Sequence, residues 1–551
     1  MKKLIALLLV LVVLAACAPP TPEVVEKEVV VEKPVVQTVV VEKEKVVEKK
    51  VVETVVVEKV VTPTPMPTPA PKYGGTLIAA KPGEVPLLDP HIGTATFSKR
   101  FFDLVYNGLV RLDENSAVAP ELAESWDISD DGKVYTFQLR KGVKFHNGKE
   151  MTSEDVKASY ERILDPETGS PARSFYADVV AIATPDPHTV VFTLDKPNAA
   201  LLALMASPNA AIVPKEMLEA GDLSVEAVGT GPFKLGEWMP DNYMILERHP
   251  DFFIEGRPYL DAIEFRVLPD EASILAGLRA QTIDYALIVD PKTAVLARVE
   301  ENLQVKSEAG FTIFLLAINH EREPLDNPLV RMAVACAIDR QAIIDATALG
   351  EGEVTGPLAP SQQAYFVPFS EFPCYQRDLD RSSELLIDAG FPDGVKFNIV
   401  VRNVHPYSDI AEAIQAQLRE AGIEAELEVD EVGIFVERWR SSDFDTYVSA
   451  MSGFPDPDFG VYRTFHGEGS ANVHGYSNAA MDELLEAGRT THDPEERTEI
   501  YKELQRKLVE DVAAVFLYPR NYYQAMQQHV KGFTAMPTGS IMYLRDTWLD
   551  K

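Results

Sequence analysis

Cysteine is scarce in this chain: Cys17, Cys336 and Cys374 are the only three in 551 residues. The ten histidines are scattered, and His405, His466 and His474 show neither His-x-x-x-His nor any link to a Cys-x-x-Cys pair. Transition-metal frameworks need such spacings, so no metal or cofactor is expected. A Gly-x-Ser-x-Gly elbow is missing, which removes one common nucleophile. The pair in Gly229-Thr-Gly231 lacks the spacing and the Lys-Ser/Thr of a phosphate loop, and fits a tight backbone path instead. Basic residues are also few, 52 Lys and Arg against 85 Asp and Glu, a formal charge of −33. That balance argues against nucleic acid and against direct docking on anionic lipid. Beyond the N-terminus no run reaches about 18 uninterrupted apolar residues, so the remainder is expected to be soluble.

What is present at the N-terminus is an export signal. Lys2-Lys3 precedes apolar Leu4 to Ala16, too short for a membrane helix, and residues 1–16 read as a signal peptide. Leu14-Ala15-Ala16-Cys17 resembles the lipobox of bacterial lipoproteins, in which the Cys is lipidated and becomes the mature N-terminus; the alternative is an ordinary cleavage site followed by Cys. Residues 17–72 then form a low-complexity tether. Val clusters alternate with Glu-Lys pairs at wandering spacing, and Thr62 to Pro71 is a polyproline-like spacer. A coiled coil or helix is the rival reading, opposed by Pro34 and by the modest helix propensity of Val. With nine Glu and eight Lys from Ala18 to Lys72, the tether is nearly neutral, so the acidity belongs to the globular part. With Cys17 taken, Cys336 lies in the apolar run Arg331 to Ile338 and reads as a buried free thiol, with a Cys336–Cys374 bridge as the alternative in an oxidising compartment.

The globular chain is too long for one ordinary core and suits two or three lobes. Trp126 to Arg162 is its most informative stretch. Asp130-Asp131-Gly132 is turn chemistry. Val134 to Leu139 alternates like a half-buried strand, and Val143 to Phe145 reads as a second short one. Thr152 and Asp155 form a capping box, and the helix beyond buries Val156, Tyr160 and Ile163. Further on, Asn327-Pro328 starts a helix with Leu329, Ala333, Val334, Ala337 and Ile338 on its core face. Gly390 and Gly422 stop two more helices, with a strand from Val395 to Val401 between them. Asp493-Pro494 begins a long helix, and Val512 to Tyr518 is a buried strand. Alternating helices and strands define an α/β protein.

The order Trp, Asp-Gly, Tyr-x-Phe-x-Leu-Arg, Gly-Val-x-Phe, Asn-Gly, Thr-x-Glu-Asp-Val within Trp126–Arg162 resembles the family 5 extracellular solute-binding proteins, receptors of bacterial ABC importers for peptides and nickel. Asn327-Pro-Leu-Val-Arg331 through Ala337-Ile-Asp-Arg340 is similar to a second motif of that family. The resemblance implies a two-lobed periplasmic-binding-protein-like (type II) fold with an extra small domain and a hinged cleft. It implies that 73–108, 196–310 and 515–551 form lobe I, 109–195 a small inserted lobe II, and 311–514 lobe III.

The same resemblance implies a binding protein rather than an enzyme. Its ligand would be a peptide or a similar small polar solute, its partners the permease subunits of an ABC importer and its place extracytoplasmic; the lipobox resemblance adds the lipid at Cys17, and a monomer is expected. The loop Thr94, Ala95, Thr96 and Phe97 falls where the family contributes to the ligand cleft. The segment Met451 to Asp458 falls opposite, where peptide receptors carry a Trp and an Asp that pairs with the ligand's ammonium. One alignment puts Met451 at the Trp and Phe454 at the Asp; another makes Asp456 the ammonium partner. Gly453 lies in that segment, and Phe311 and Trp439 are expected apolar walls. Oligosaccharides or other solutes are alternative ligands. A hydrolase using the carboxylates from Asp443 to Asp458, and an interaction module without a small ligand, are the rival classes.

Overall fold

In the computed structural model, the described residues are 70–220, 223, 224 and 226–551. The signal peptide, Cys17 and nearly all of the tether lie outside them. A mixed ten-stranded sheet runs through the chain in the order 423–430, 395–402, 446–451, 303–318, 514–527, 285–288, 76–81, 262–267, 243–248, 233–239. At one end Val395–Arg402 lies parallel to Ile423–Asp430 and Thr446–Met451. At the other, Thr76–Lys81 lies parallel to Ala262–Val267 and Tyr285–Ile288.

Two long antiparallel strands, Leu303–Ile318 and Ala514–Gln527, join these halves. Their ladder runs from Leu303↔Gln527 to Ala309↔Asn521, slips register around Ile313↔Pro519, and resumes to Ala317↔Ala514. Side chains change core at that slip. Ile313–Ile318 and Ala514–Tyr518 pack with the third region, while Tyr523, Ala525 and Met526 pack with the first. The chain therefore crosses back at Pro519 rather than at Val515, because the apolar run Ala513–Tyr518 is consumed by the third region's core.

The small region has its own antiparallel sheet, ordered 123–128, 134–139, 189–194, 179–186. Helix Ser153–Leu164 covers it. The Asp155 carboxylate accepts the Thr152 backbone N–H at 2.9 Å, and Val156, Tyr160 and Ile163 are fully buried. The expected strand at 143–145 is only an isolated pairing of Lys144 with Glu150, since the turn at Gly148 folds the chain back after Phe145. This core does not stop at Asp195: Leu201, Leu204, Met205, Ala210 and Ile212 belong to it.

Elsewhere the capping chemistry works as expected. Asn327 accepts the Leu329 N–H and Asp493 the Glu496 N–H, both at 2.9 Å. The helix after Asn327 buries Val330, Ala333, Val334 and Ala337, spaced i, i+3, i+4, i+7, so Leu329 faces solvent instead of the expected core. Gly229 meets the Val105 carbonyl so closely that a Cβ there would come within 2.1 Å of its oxygen, which explains the glycine. The free-thiol reading of Cys336 is corrected: Cys336 and Cys374 are bonded, with Cα atoms 4.4 Å apart. The chain after Cys374 is held over the helix end, where the Asp378 N–H donates to the Cys336 carbonyl at 2.8 Å.

Candidate functional site

A cavity of about 600 Å³ lies at the register slip, within the size range of small-ligand sites. Helix Thr96–Val105 and the segment around Asn209 supply one wall. Phe311, Thr312, Arg520 and Tyr522 supply the crossing, and Arg402, Tyr407, Ser449–Ala450, Ser452–Phe454 and Arg463 the far wall. The lining thus draws on both halves of the sheet, on residues more than 400 positions apart in the chain.

Five of the residues expected in the cleft line this cavity: Thr94, Thr96, Phe311, Gly453 and Phe454. Gly453 sits so near the Phe311 carbonyl that a Cβ would come within 1.8 Å of its oxygen, so only glycine lets the far wall close on the crossing strand. Four others lie outside the lining. Phe97, next to Thr96 on the helix, turns into the first region's core with the Lys81 ammonium 5.8 Å from its ring. Met451 ends its strand facing the third region's core. Trp439 packs against that core from helix Val432–Arg440. Asp456 is buried, and its two oxygens accept from Arg497 at 2.7 and 2.9 Å.

Phe454 thus lines the cavity, whereas Met451 and Asp456 do not. Asp458 is occupied too, accepting from Arg489 at 2.8 Å. Burial pushes its carboxyl upward and Arg489 opposes the shift. Asp443 stands exposed near Arg322 and Arg438. Among the described residues, no group of three His, Cys, Asp or Glu side chains is placed to hold a metal ion.

Sequence reasoning missed the charged part of the lining. Lys99, Arg100, Arg111, Arg402, Arg463 and Arg520 line the cavity, with only Asp103 and Glu121 among carboxylates. Asp103 lies beside Arg100 at 3.6 Å and accepts the Ile541 N–H at 3.1 Å. Burial raises its pKa, against the pull of Arg100. Glu121 faces Arg111 at 3.1 Å and Arg545 at 2.8 Å. The other three arginines face aromatic groups. The Arg402 guanidinium lies 3.6 Å from the Tyr407 ring centre, and Arg520 donates to the Tyr407 hydroxyl at 3.0 Å. Arg463 lies 5.6 Å from the Phe459 ring centre. A signal for Arg402 was available: it ends a strand that pairs only in parallel, and open α/β sheets bind ligands beyond the carboxyl ends of such strands.

A sheet in two halves, joined by paired strands and lining one cavity from both, defines a two-lobed α/β binding fold of the periplasmic receptor class. Residues 117–472 match the family described as bacterial extracellular solute-binding proteins, family 5 Middle, and the chain belongs to that family. It is similar to the oligopeptide-binding protein AppA of Bacillus subtilis, 29% identical over 510 residues that cover 87% of this chain and 93% of the relative. Its fold is similar to the periplasmic binding protein DppA of Helicobacter pylori in complex with the peptide STSA, at TM-score 0.74 and 28% identity, covering 87% of this chain and 99% of the other. It is equally similar to AgaA of A. tumefaciens R10 in complex with agropinic acid, at TM-score 0.73 and 28% identity, with the same coverage.

Proposed function

We propose that this solute-binding protein is the receptor of an ABC importer, held at the membrane by a lipid on Cys17 and acting as a monomer. It captures a peptide or similar small polar solute and delivers it to permease subunits. The observation that carries this reading is the cavity of about 600 Å³ lined from both halves of the sheet. A ligand that touches both walls favours the closed arrangement by its differential affinity, and the register slip between Ala309 and Leu315 gives the two halves a place to bend. No bond chemistry is required of it. Asp456 and Asp458, two of the carboxylates a hydrolase would need, are held in ion pairs by Arg497 and Arg489. The similarity to a receptor of agropinic acid keeps non-peptide solutes within the ligand class.

Thermal melting against a panel of peptides, oligosaccharides and organic acids tests the reading. A ligand present at 100 times its Kd adds about 2.7 kcal/mol of stability. A clear rise in Tm with one class, and no turnover of it, is expected. Hydrolysis of a panel member by the purified protein would contradict the reading.

A further inference from the structure

The cavity carries more positive charge than the protein around it can account for. Among the described residues, Lys99, Arg402, Arg463 and Arg520 line it and none stands within ion-pair distance of a carboxylate, whereas Arg100 and Arg111 face Asp103 and Glu121. This happens in a chain of formal charge −33, where acidic partners are plentiful.

The arrangement is costly in an empty cleft. Tyr407 gathers two guanidinium groups, one over its ring and one on its hydroxyl, so like charges are brought together over one aromatic. Arg463 is half-buried, makes no side-chain hydrogen bond, and has its pKa lowered by burial alone. Lys99, on the opposite wall, is lowered by burial and then by the neighbouring Arg100. Charged groups held this way gain most from an anion that completes them. On the other side of the ledger, the cavity offers a ligand ammonium no free carboxylate: Asp103 and Glu121 are engaged, and Asp456 is sealed behind Arg497.

We propose that the solute is a polyanion, a compound with at least two carboxylate or comparable acidic groups, one held by the Arg402–Tyr407–Arg520 cluster and another by Arg463 or Lys99, with no free amine required. The assignment rests on the receptor reading and deepens it. Guanidinium groups take carboxylates in two-point contacts, so Arg402 and Arg520 set orientation as well as charge. Phe311, Phe454 and Tyr522 supply the apolar remainder of the wall.

Calorimetric titration of the dialysed full-length protein tests this. The probes are N-acetyl-Glu-Glu, with three carboxylates and no amine, its neutral counterpart N-acetyl-Gln-Gln-amide, and the cationic Lys-Lys-amide. The triacid is expected to bind at least about tenfold tighter than the neutral probe, with an affinity that falls as salt rises, and the cationic probe should not bind. Arg520→Gln and Arg402→Gln should each weaken the triacid about thirtyfold or more and the neutral probe far less, while Arg520→Lys should restore part of the triacid loss. A purely structural role would not separate the probes or be rescued by Lys. Tight binding of the neutral or cationic probe with the triacid weaker would overturn the polyanion and leave the receptor reading standing. Silence of all three probes, together with no thermal response to the wider solute panel, would overturn both.

Discussion

Asp456 and Arg497 form a buried two-point ion pair, at 2.7 and 2.9 Å, that ties the segment after the cavity wall to the long helix Pro494–Glu510. The carboxylate that sequence alone offers as a ligand partner is therefore a structural anchor. Arg497 is held further by the Tyr365 hydroxyl at 3.0 Å and the Gly488 carbonyl at 2.7 Å.

Breaking that pair from one side leaves a charge buried without its partner. Asp456→Asn or Arg497→Met is expected to lower stability by about 3–5 kcal/mol. Urea unfolding measures the loss. Solute affinity of the folded fraction should change little for Asp456→Asn, because the side chain does not line the cavity. A large loss of affinity with unchanged stability would place Asp456 in the ligand site after all.

Gly453→Ala places a methyl group against the Phe311 carbonyl, where only 1.8 Å is available to a Cβ. The wall must shift to admit it. A stability loss of about 1–3 kcal/mol is expected, typical of overpacking, with weaker solute binding read by the same thermal titration. Phe454→Ala, by contrast, removes an apolar lining group and should weaken every ligand, charged or neutral, with a smaller effect on stability.

Acid should destabilise the domain through its buried histidines. Burial holds His474 down to about 3 and His320 to about 4; His320 also feels Arg331, with the Ala513 carbonyl and Asp511 opposing. His91 is held at about 4 by burial, with Arg162 adding to it. An unfolded histidine titrates near 6.5. Above that pH neither state binds the proton. Below it the unfolded chain does and the folded one does not, so stability present at neutral pH is lost between about pH 6.5 and the folded values. The slope is about 1.4 kcal/mol per pH unit for each such histidine. Tm measured from pH 7 to 4.5 should fall, and His474→Phe should flatten the fall. A Tm independent of pH across that window would contradict the assignment.

Cys17→Ala should move the protein from the membrane fraction to the soluble one without altering the Tm of the folded domain or its solute affinity. Retention of the variant on membranes would count against the lipid.

The elements were legible wherever a local rule decided them. Helix Ser153–Leu164, with its capping box and its stripe of Val156, Tyr160 and Ile163, follows from spacing alone, as do the proline-started helices after Asn327 and Asp493. Placements that depend on partners distant in the chain were not legible. Of the two crossing strands, 16 and 14 residues long, only Val512 to Tyr518 of the second reads as a strand, although the first continues through Gly310 and the second through Pro519. Within the site, Thr94, Thr96, Gly453 and Phe454, named from family likeness, line the cavity. Side-chain direction did not: Phe97 and Met451 are one residue away from lining positions and point into cores. The cationic cluster escaped because Arg402, Arg463 and Arg520 are far apart in sequence and meet only in the fold, and because an unpaired arginine is defined by carboxylates that are absent.

The most direct measurement is native mass spectrometry of the full-length protein isolated gently from its own cells, before and after denaturation. A receptor with a cavity between two walls should carry one small solute, seen as a mass increment that is lost on unfolding, and the released compound should be acidic and restore the Tm of the stripped protein. A protein that shows only its own mass, and whose Tm does not respond to the small-molecule extract of those cells, would contradict the account.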